Sequence, residues 1–252
     1  MNRKEKSFLN KDLWLSEILE KPCFNLICEK RSNLNNILKT LPKNNYFVSS
    51  KVNSDDLENL IKLQKKGFKI VDFSYSLKKN YCFEKFSKHD TIDIQEATPD
   101  DKEEVAEIAF KAFKYSRFHK DSLISKKKAA IIKREWAKNY FSGKRGDLML
   151  VASMKNNLVT KKKHSRIKGF LLLKKTTYLN KEQAISIDLI AIDPEFSGLG
   201  IGNELIKNMI TKFKEEYIFL VGTQSTNISA LSLYSKYQFK LENSFFNLHL
   251  HN

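Results

Sequence analysis

The sequence predicts an α+β protein: a mixed central sheet flanked by helices, with a smaller N-terminal α/β domain at 1–90 and a larger domain at 91–252. Three observations predict it. Apolar residues switch repeatedly between a period of two and a period near 3.6, the signatures of strands and amphipathic helices. A strand ending at Ile192 runs into a turn carrying Gly198, Gly200 and Gly202, three of the chain's eight glycines, and that turn opens a helix. Between the two parts lies a polar stretch, 86–91, without periodicity. With 252 residues and 41% apolar content, the chain is large enough to bury a real core.

In the first part, Phe24 to Cys28 reads as a strand. Leu34, Ile37, Leu38 and Leu41 fall on one helical face that Pro42 ends. Tyr46 to Val52 is a second strand. Ser54 to Glu58 offers a cap and acids for a helix through Lys66, and Gly67 suits the position after its end. Val71, Phe73, Tyr75 and Leu77 then alternate with polar residues, a half-exposed strand.

The second part opens with a strand at 92–97. Thr98, Pro99 and Asp101 mark a helix start, and Val105, Ile108, Ala109, Ala112 and Phe113 supply its buried face. A polar, bulky tip follows, Tyr115 to Lys120. A second helix covers about 126–141, with Ile132, Trp136 and Tyr140 spaced by four. Strands follow at 148–152, 169–173 and 184–192. The glycine-turn helix, a strand at 217–221, a helix begun by Asn227 and a strand at 245–250 complete the order.

The glycine turn carries the chemistry. Glycines at a helix start leave backbone N–H groups uncovered, and the helix dipole adds positive potential, which makes a place for a pyrophosphate. A dinucleotide fingerprint would need glycine where Leu205 or Asn203 stands, and the Gly-Lys-Ser/Thr of a P-loop is absent. What remains resembles the coenzyme A loop of the GNAT superfamily of N-acetyltransferases, with Gly200 and Gly202 on the family's two small residues. Ser197 stands where that family has Arg or Gln. A second segment strengthens the resemblance: Asn227, Ala230, Leu233, Tyr234 and Phe239 match the family's spacing, while Gln238 replaces its glycine. The order of elements agrees with the family's as well. The helix-and-tip from Ala112 to Phe118 and the stretch 222–227 are similar to the bacterial subfamily that N-acetylates dTDP-4-amino-4,6-dideoxygalactose (dTDP-fucosamine).

The resemblance implies a GNAT acetyltransferase fold and direct acetyl transfer from acetyl-CoA, with no metal, to the amino group of a nucleotide-activated aminodeoxysugar used in surface polysaccharide biosynthesis. A protein, peptide or other small amine is the alternative acceptor. Cofactor contacts are expected from Leu189, Ile190 and Ala191, from Gly198, Leu199, Gly200, Ile201, Gly202 and Asn203, and from Asn227. Tyr234 matches the catalytic tyrosine, whose phenol, with an ordinary pKa near ~10, can protonate a leaving thiolate. Arg117 is expected to grip the acceptor's diphosphate through paired donors, or else to pair with Asp121, and Tyr115 and Phe118 to shape the sugar pocket. The general base is not readable from the sequence: His119, Asp188 and Glu135 are candidates that also suit structural or surface roles, and a water relay is the alternative.

The charge of +16 is uneven: residues 120–175 hold 17 basic and three acidic side chains, a net +14. No aromatics interleave the lysine runs at 126–128 and 161–163, so nucleic acid is not the expected partner. A solvated basic face and steering of an anionic ligand both fit. Three unpatterned cysteines suit a reducing, cytoplasmic setting. The five histidines are scattered without an evident ligand set. No apolar run is long enough for a membrane span. The resemblance implies a small-molecule nucleotide sugar as the partner and leaves a homodimer open.

Overall fold

The computed structural model describes residues 8–28, 34–82, 85–87, 90–155, 166–213 and 217–252. The first half supplies β1 (Phe8–Lys11), α1 (Leu13–Leu19), β2 (Cys23–Ile27), α2 (Leu34–Leu38), β3 (Phe47–Asn53), α3 (Leu57–Lys65) and β4 (Lys69–Asn80). The second supplies β5 (Ile92–Glu96), α4 (Lys102–Ala112), α5 (Arg117–Lys120), α6 (Lys126–Phe141), β6 (Leu148–Met154), β7 (Ile167–Thr177), β8 (Gln183–Ile192), α7 (Ile201–Lys212), β9 (Ile218–Gln224), α8 (Ile228–Lys236) and β10 (Lys240–His251). This is an α+β architecture on a mixed sheet.

The two halves expected to meet near residue 90 share one ten-stranded sheet, ordered β1-β2-β3-β10-β4-β9-β8-β7-β6-β5. The last strand, β10, lies between β3 and β4, antiparallel to both, and β4 pairs antiparallel with β9. The parallel pairs are β2 with β3 and β8 with β9. β1 and α1 extend the fold ahead of the first strand the sequence showed. The lysine run at 161–163 lies outside the described residues.

Local chemistry fixes the helix ends. Ser125 caps α6 by accepting from Lys128 N–H at 3.2 Å, and Asn227 caps α8 by accepting from Ala230 N–H at 3.3 Å. Gln238 has a φ of 60° where the chain leaves α8 for β10. That left-handed conformation costs a non-glycine residue roughly 1–2 kcal/mol. It explains why glycine is the natural residue at this place in the pattern the sequence resembles.

Alternation along the strands divides the core. Phe170 and Leu172 of β7 pack with Val105, Ile108 and Ala109 of α4 and Ala137 of α6. Their neighbours Leu171 and Leu173 face the other way, onto Leu205, Met209 and Tyr234 of α7 and α8. α6 also reaches the N-terminal half, where Ala129 and Ile132 meet Leu15, Leu19 and Phe47. Helices therefore cover both faces of the sheet beside β8 and β9, and the site opens between those strands.

Candidate active site

β8 and β9 pair in parallel only as far as Ile187 with Val221. At the next residue, Asp188, the β8–β7 ladder slips: Leu173 faces Ile187 while Leu172 faces Leu189. The Asp188 carboxylate is held by Arg145, through Nε at 2.6 Å and Nη2 at 2.7 Å, and by Trp136 Nε1 at 2.8 Å. β9 meanwhile continues along β4 as far as Gln224 opposite Ser74. Beyond the last shared pair, residues 189–192 keep β7 on one edge and present an edge to the gap that β9 does not cover.

A cavity of about 720 Å³ occupies the gap, walled by the tip after α4, the glycine turn, α8 and one side chain of α6. Gly198 and Gly200 have φ of 84° and 85°, values open to glycine at little cost. They turn the chain so that α7 begins at Ile201 with its first residues in the cavity wall, where a helix start leaves N–H groups without intrahelical partners. Gly202, in the first turn of α7, leaves the wall bare; a Cβ there would stand 3.4 Å from Leu233.

Most of the residues expected at the cofactor converge here. Leu189, Ile190, Ala191, Gly198, Gly200, Ile201, Gly202, Asn203 and Asn227 all line the cavity, as do Tyr234 and Tyr115. Leu199 is 50% exposed and absent from the wall, because the αL turns on either side of it point its side chain outward. Phe118 requires a correction. It is 2% exposed and packed with Leu15, Leu19 and Phe47, so it is a core residue and does not shape a pocket. Arg117 is half-buried and also absent from the wall. It is not paired with Asp121, whose carboxylate is taken elsewhere. Arg117 lies behind the cavity, where its charge acts on Lys51, Asp72, Lys133 and His249.

The Tyr234 side chain is 2% exposed and packs against Phe239. Burial pushes its phenol above the usual tyrosine range, so it carries its proton at any working pH. The ring lines the cavity, and among the described residues the phenol has no hydrogen-bond partner.

The candidate bases are occupied elsewhere. Asp188 is locked by Arg145 and Trp136, and Glu135 pairs with neighbouring Arg134 at 3.0 Å. His119 bonds Ser116 Oγ through Nδ1 at 2.7 Å, and burial, with Lys133 and Lys126 nearby, pushes it down to about 4. Sequence reading missed Lys133, a wall residue on α6 that is only 9% exposed. The available signal was a lone lysine in the apolar stripe it shares with Trp136, Ala137 and Tyr140.

A second polar cluster joins the C-terminus to α5. Asp121 Oδ2 accepts from His249 Nδ1 at 2.6 Å and from His251 Nε2 at 2.7 Å. These three groups are of metal-binding type, with ligand atoms within 4.8 Å of one another. Lys21 Nζ, however, stands 3.3 Å from His251 Nδ1. Nδ1 must then be the acceptor, so Nε2 carries the proton toward Asp121 and is not free to ligate. Burial would raise the Asp121 carboxyl, but hydrogen bonds from His249, His251 and Leu123 N–H outweigh it and hold it well below the usual range. Burial pushes His249 down to about 4 against the pull of Asp121.

The sign of the resulting pH dependence follows. Below an unfolded histidine pKa of about 6.5 the unfolded chain binds protons that folded His119 and His249 refuse. Stability is therefore lost as pH falls from about 6.5 toward 4. Asp72, which burial raises to about 6, works the other way below that pH and cancels only part of the loss. Urea unfolding at pH 7.5 and 5 is expected to show lower stability at pH 5, with a smaller difference in His249→Asn.

Comparison with known proteins agrees with this geometry. Residues 129–239, from within α6 to the end of the α8 turn, match the acetyltransferase (GNAT) family model. The chain is 29% identical over 154 residues to the spore coat polysaccharide biosynthesis protein SpsD of Bacillus subtilis (strain 168). That alignment covers 60% of this chain and 48% of SpsD, so the chain spans about half the length of this curated relative. Among solved structures, a conserved protein of unknown function from Staphylococcus epidermidis ATCC 12228 superposes with a TM-score of 0.62 at 16% identity, covering 100% of this chain and 94% of the other. A GCN5-related N-acetyltransferase from Sphaerobacter thermophilus gives 0.55 at 11% identity over 97% and 76%. Among the described residues no helix is long and apolar enough to cross a membrane.

Proposed function

We propose that the chain, whose residues 129–239 match the acetyltransferase (GNAT) family model, is an N-acetyltransferase that acetylates the amino group of a nucleotide-activated aminodeoxysugar, using acetyl-CoA. The observation that carries the donor half is the convergence of a glycine-turned helix start, an uncovered strand edge and a buried phenol on one cavity. The N–H groups from Gly198 to Asn203 suit a pyrophosphate. The β9-facing edge of 189–191 suits a pantetheine arm, helped by Asn227, and offers an N–H donor to the developing oxyanion. Tyr234 supplies the proton for the departing thiolate.

The acceptor half rests on different support. A relative assigned to polysaccharide biosynthesis points to a sugar. The cavity wall carries Lys114 and Lys236, a cationic lining that favours a substrate with phosphate charges over a basic peptide. Tyr115 remains in the wall as a sugar contact, while Arg117 would act on the diphosphate only through the field it adds behind that wall. We assign the chemistry to 91–252 and read 1–90 as an accessory half that completes the sheet.

The test is thiol release from acetyl-CoA across a panel of aminosugar nucleotides, free aminosugars, lysine peptides and simple amines. A 4-amino-4,6-dideoxyhexose linked to a nucleoside diphosphate is expected to give the highest kcat/KM. Preference for a peptide amine would remove the sugar assignment and leave the acetyltransferase.

A further inference from the structure

We propose that Lys133 is the general base of this transfer, accepting the proton that the acceptor nitrogen sheds as it is acetylated. The proposal rests on the reading that the acceptor amine enters the cavity between β8 and β9.

Placement comes from α6. Ala129 and Ile132 are committed to the cluster around Phe47, and Ala137 to the cluster around Leu172. Lys133 lies between these two apolar commitments and is the one buried cationic side chain of α6. It projects where β8 and β9 have parted and forms part of the cavity wall. Its ammonium nitrogen is 4.8 Å from the Phe113 ring centroid and 4.5 Å from that of Trp136. Among the described residues it makes no hydrogen bond or ion pair. A structural lysine at such a depth is expected to have an acid partner. This one has ring faces and a cavity.

The charges around it disfavour the ammonium form. Arg117 and His119 face it from α5, Arg145 from beyond the end of α6, and Asp188 from β8. His119 is held neutral near pH 7, and Asp188 is consumed by the bidentate grip of Arg145. Two guanidinium groups therefore oppose one spent carboxylate. The rings pull the other way through cation–π attraction. Burial, with Arg117, outweighs them and pushes the amine down to about 7. That value suits a base at neutral pH.

The step balances. The neutral acceptor amine attacks the thioester carbonyl and forms the N–C bond, giving a tetrahedral intermediate with a positively charged nitrogen. That nitrogen passes one proton to the Lys133 amine. The C–S bond breaks, and the thiolate takes the phenol proton of Tyr234. The proton now on Lys133 returns to the Tyr234 phenolate through water, restoring both groups and leaving amide and thiol.

The test is the pH dependence of kcat in K133M and K133R, with K133Q as a second neutral variant if K133M does not fold. The wild type is expected to gain activity with the loss of one proton near pH 7. K133M and K133R are each expected to lose about 10²-fold in kcat and to lose that limb, with acetyl-CoA affinity within about twofold of wild type. Added ethylamine is expected to restore part of the turnover of K133A. A K133M enzyme that keeps its kcat and the limb, or changes only KM for the acceptor, overturns the proposal. Profiles are taken with whichever amine the wild type acetylates fastest. Refusal of nucleotide sugars would then defeat the substrate assignment without touching the test of Lys133.

Discussion

Tyr234→Phe is expected to reduce kcat by roughly 10²-fold or more, the usual scale of a lost general acid, while leaving the melting temperature and acetyl-CoA affinity close to wild type. The two halves of that expectation have separate physical causes. The ring itself is core, packed against Phe239 and 2% exposed, and phenylalanine keeps all of it. The phenol has no protein partner among the described residues, so removing it orphans nothing and avoids the about 1–3 kcal/mol cost of an unsatisfied buried group. What disappears is a proton facing the cavity. Because burial raises this phenol, it is a weaker acid than in water and gives up its proton late, as the carbon–sulfur bond breaks. Single-turnover kinetics isolate that step. Wild-type rates there would reduce Tyr234 to a packing residue.

Gly202→Glu is expected to abolish measurable acetyl-CoA binding in a protein that still folds. Gly202 is the informative position in the turn. Gly200 has a φ of 85°, where any other residue adds backbone strain and confuses binding with folding. Gly202 is helical, and its new Cβ would meet Leu233 at an ordinary 3.4 Å. The added carboxylate would take the N–H groups meant for phosphate and repel what remains. Hydrogen bonds to charged groups are worth about 1.5–3 kcal/mol each, so losing two weakens affinity by about 10²-fold or more. Gly202→Ala is the control, with affinity retained and α7 favoured by about 0.5–1 kcal/mol. Calorimetry on both variants decides it. Unchanged affinity in folded Gly202→Glu would show that the phosphates do not sit at this helix start.

The sequence made some of this legible for local reasons. The extent of α6 follows from apolar residues spaced by four, and the glycine turn follows from residues adjacent in the chain. Other features depend on contacts no local pattern records. β10 lies between β3 and β4, so its partners are residues 162 to 204 positions away. Asp121 meets His249 across 128 residues, which is why scattered histidines gave no cluster. β1 is four residues long, at the sheet edge and mostly exposed, so it had no strong period to read. The acceptor tip was misread at finer grain. α5 is one helical turn, and successive side chains there point about 100° apart. Tyr115 and Ser116 reach the cavity, while Phe118 turns into the core. Lys133 was hidden for the opposite reason, a charged residue in an otherwise apolar stripe, where its charge looked like surface.

The central claim is that this cavity joins acetyl-CoA to the amine of a sugar carrying a nucleoside diphosphate. The most direct measurement is kcat/KM for such a nucleotide sugar against the same aminosugar without its nucleotide, with the product identified by mass spectrometry as singly N-acetylated. The cationic wall predicts a preference for the nucleotide sugar of about 10²-fold or more, on the scale of two charge-assisted contacts. Equal kcat/KM for the two would contradict the claim and leave an acetyltransferase whose acceptor is a small amine.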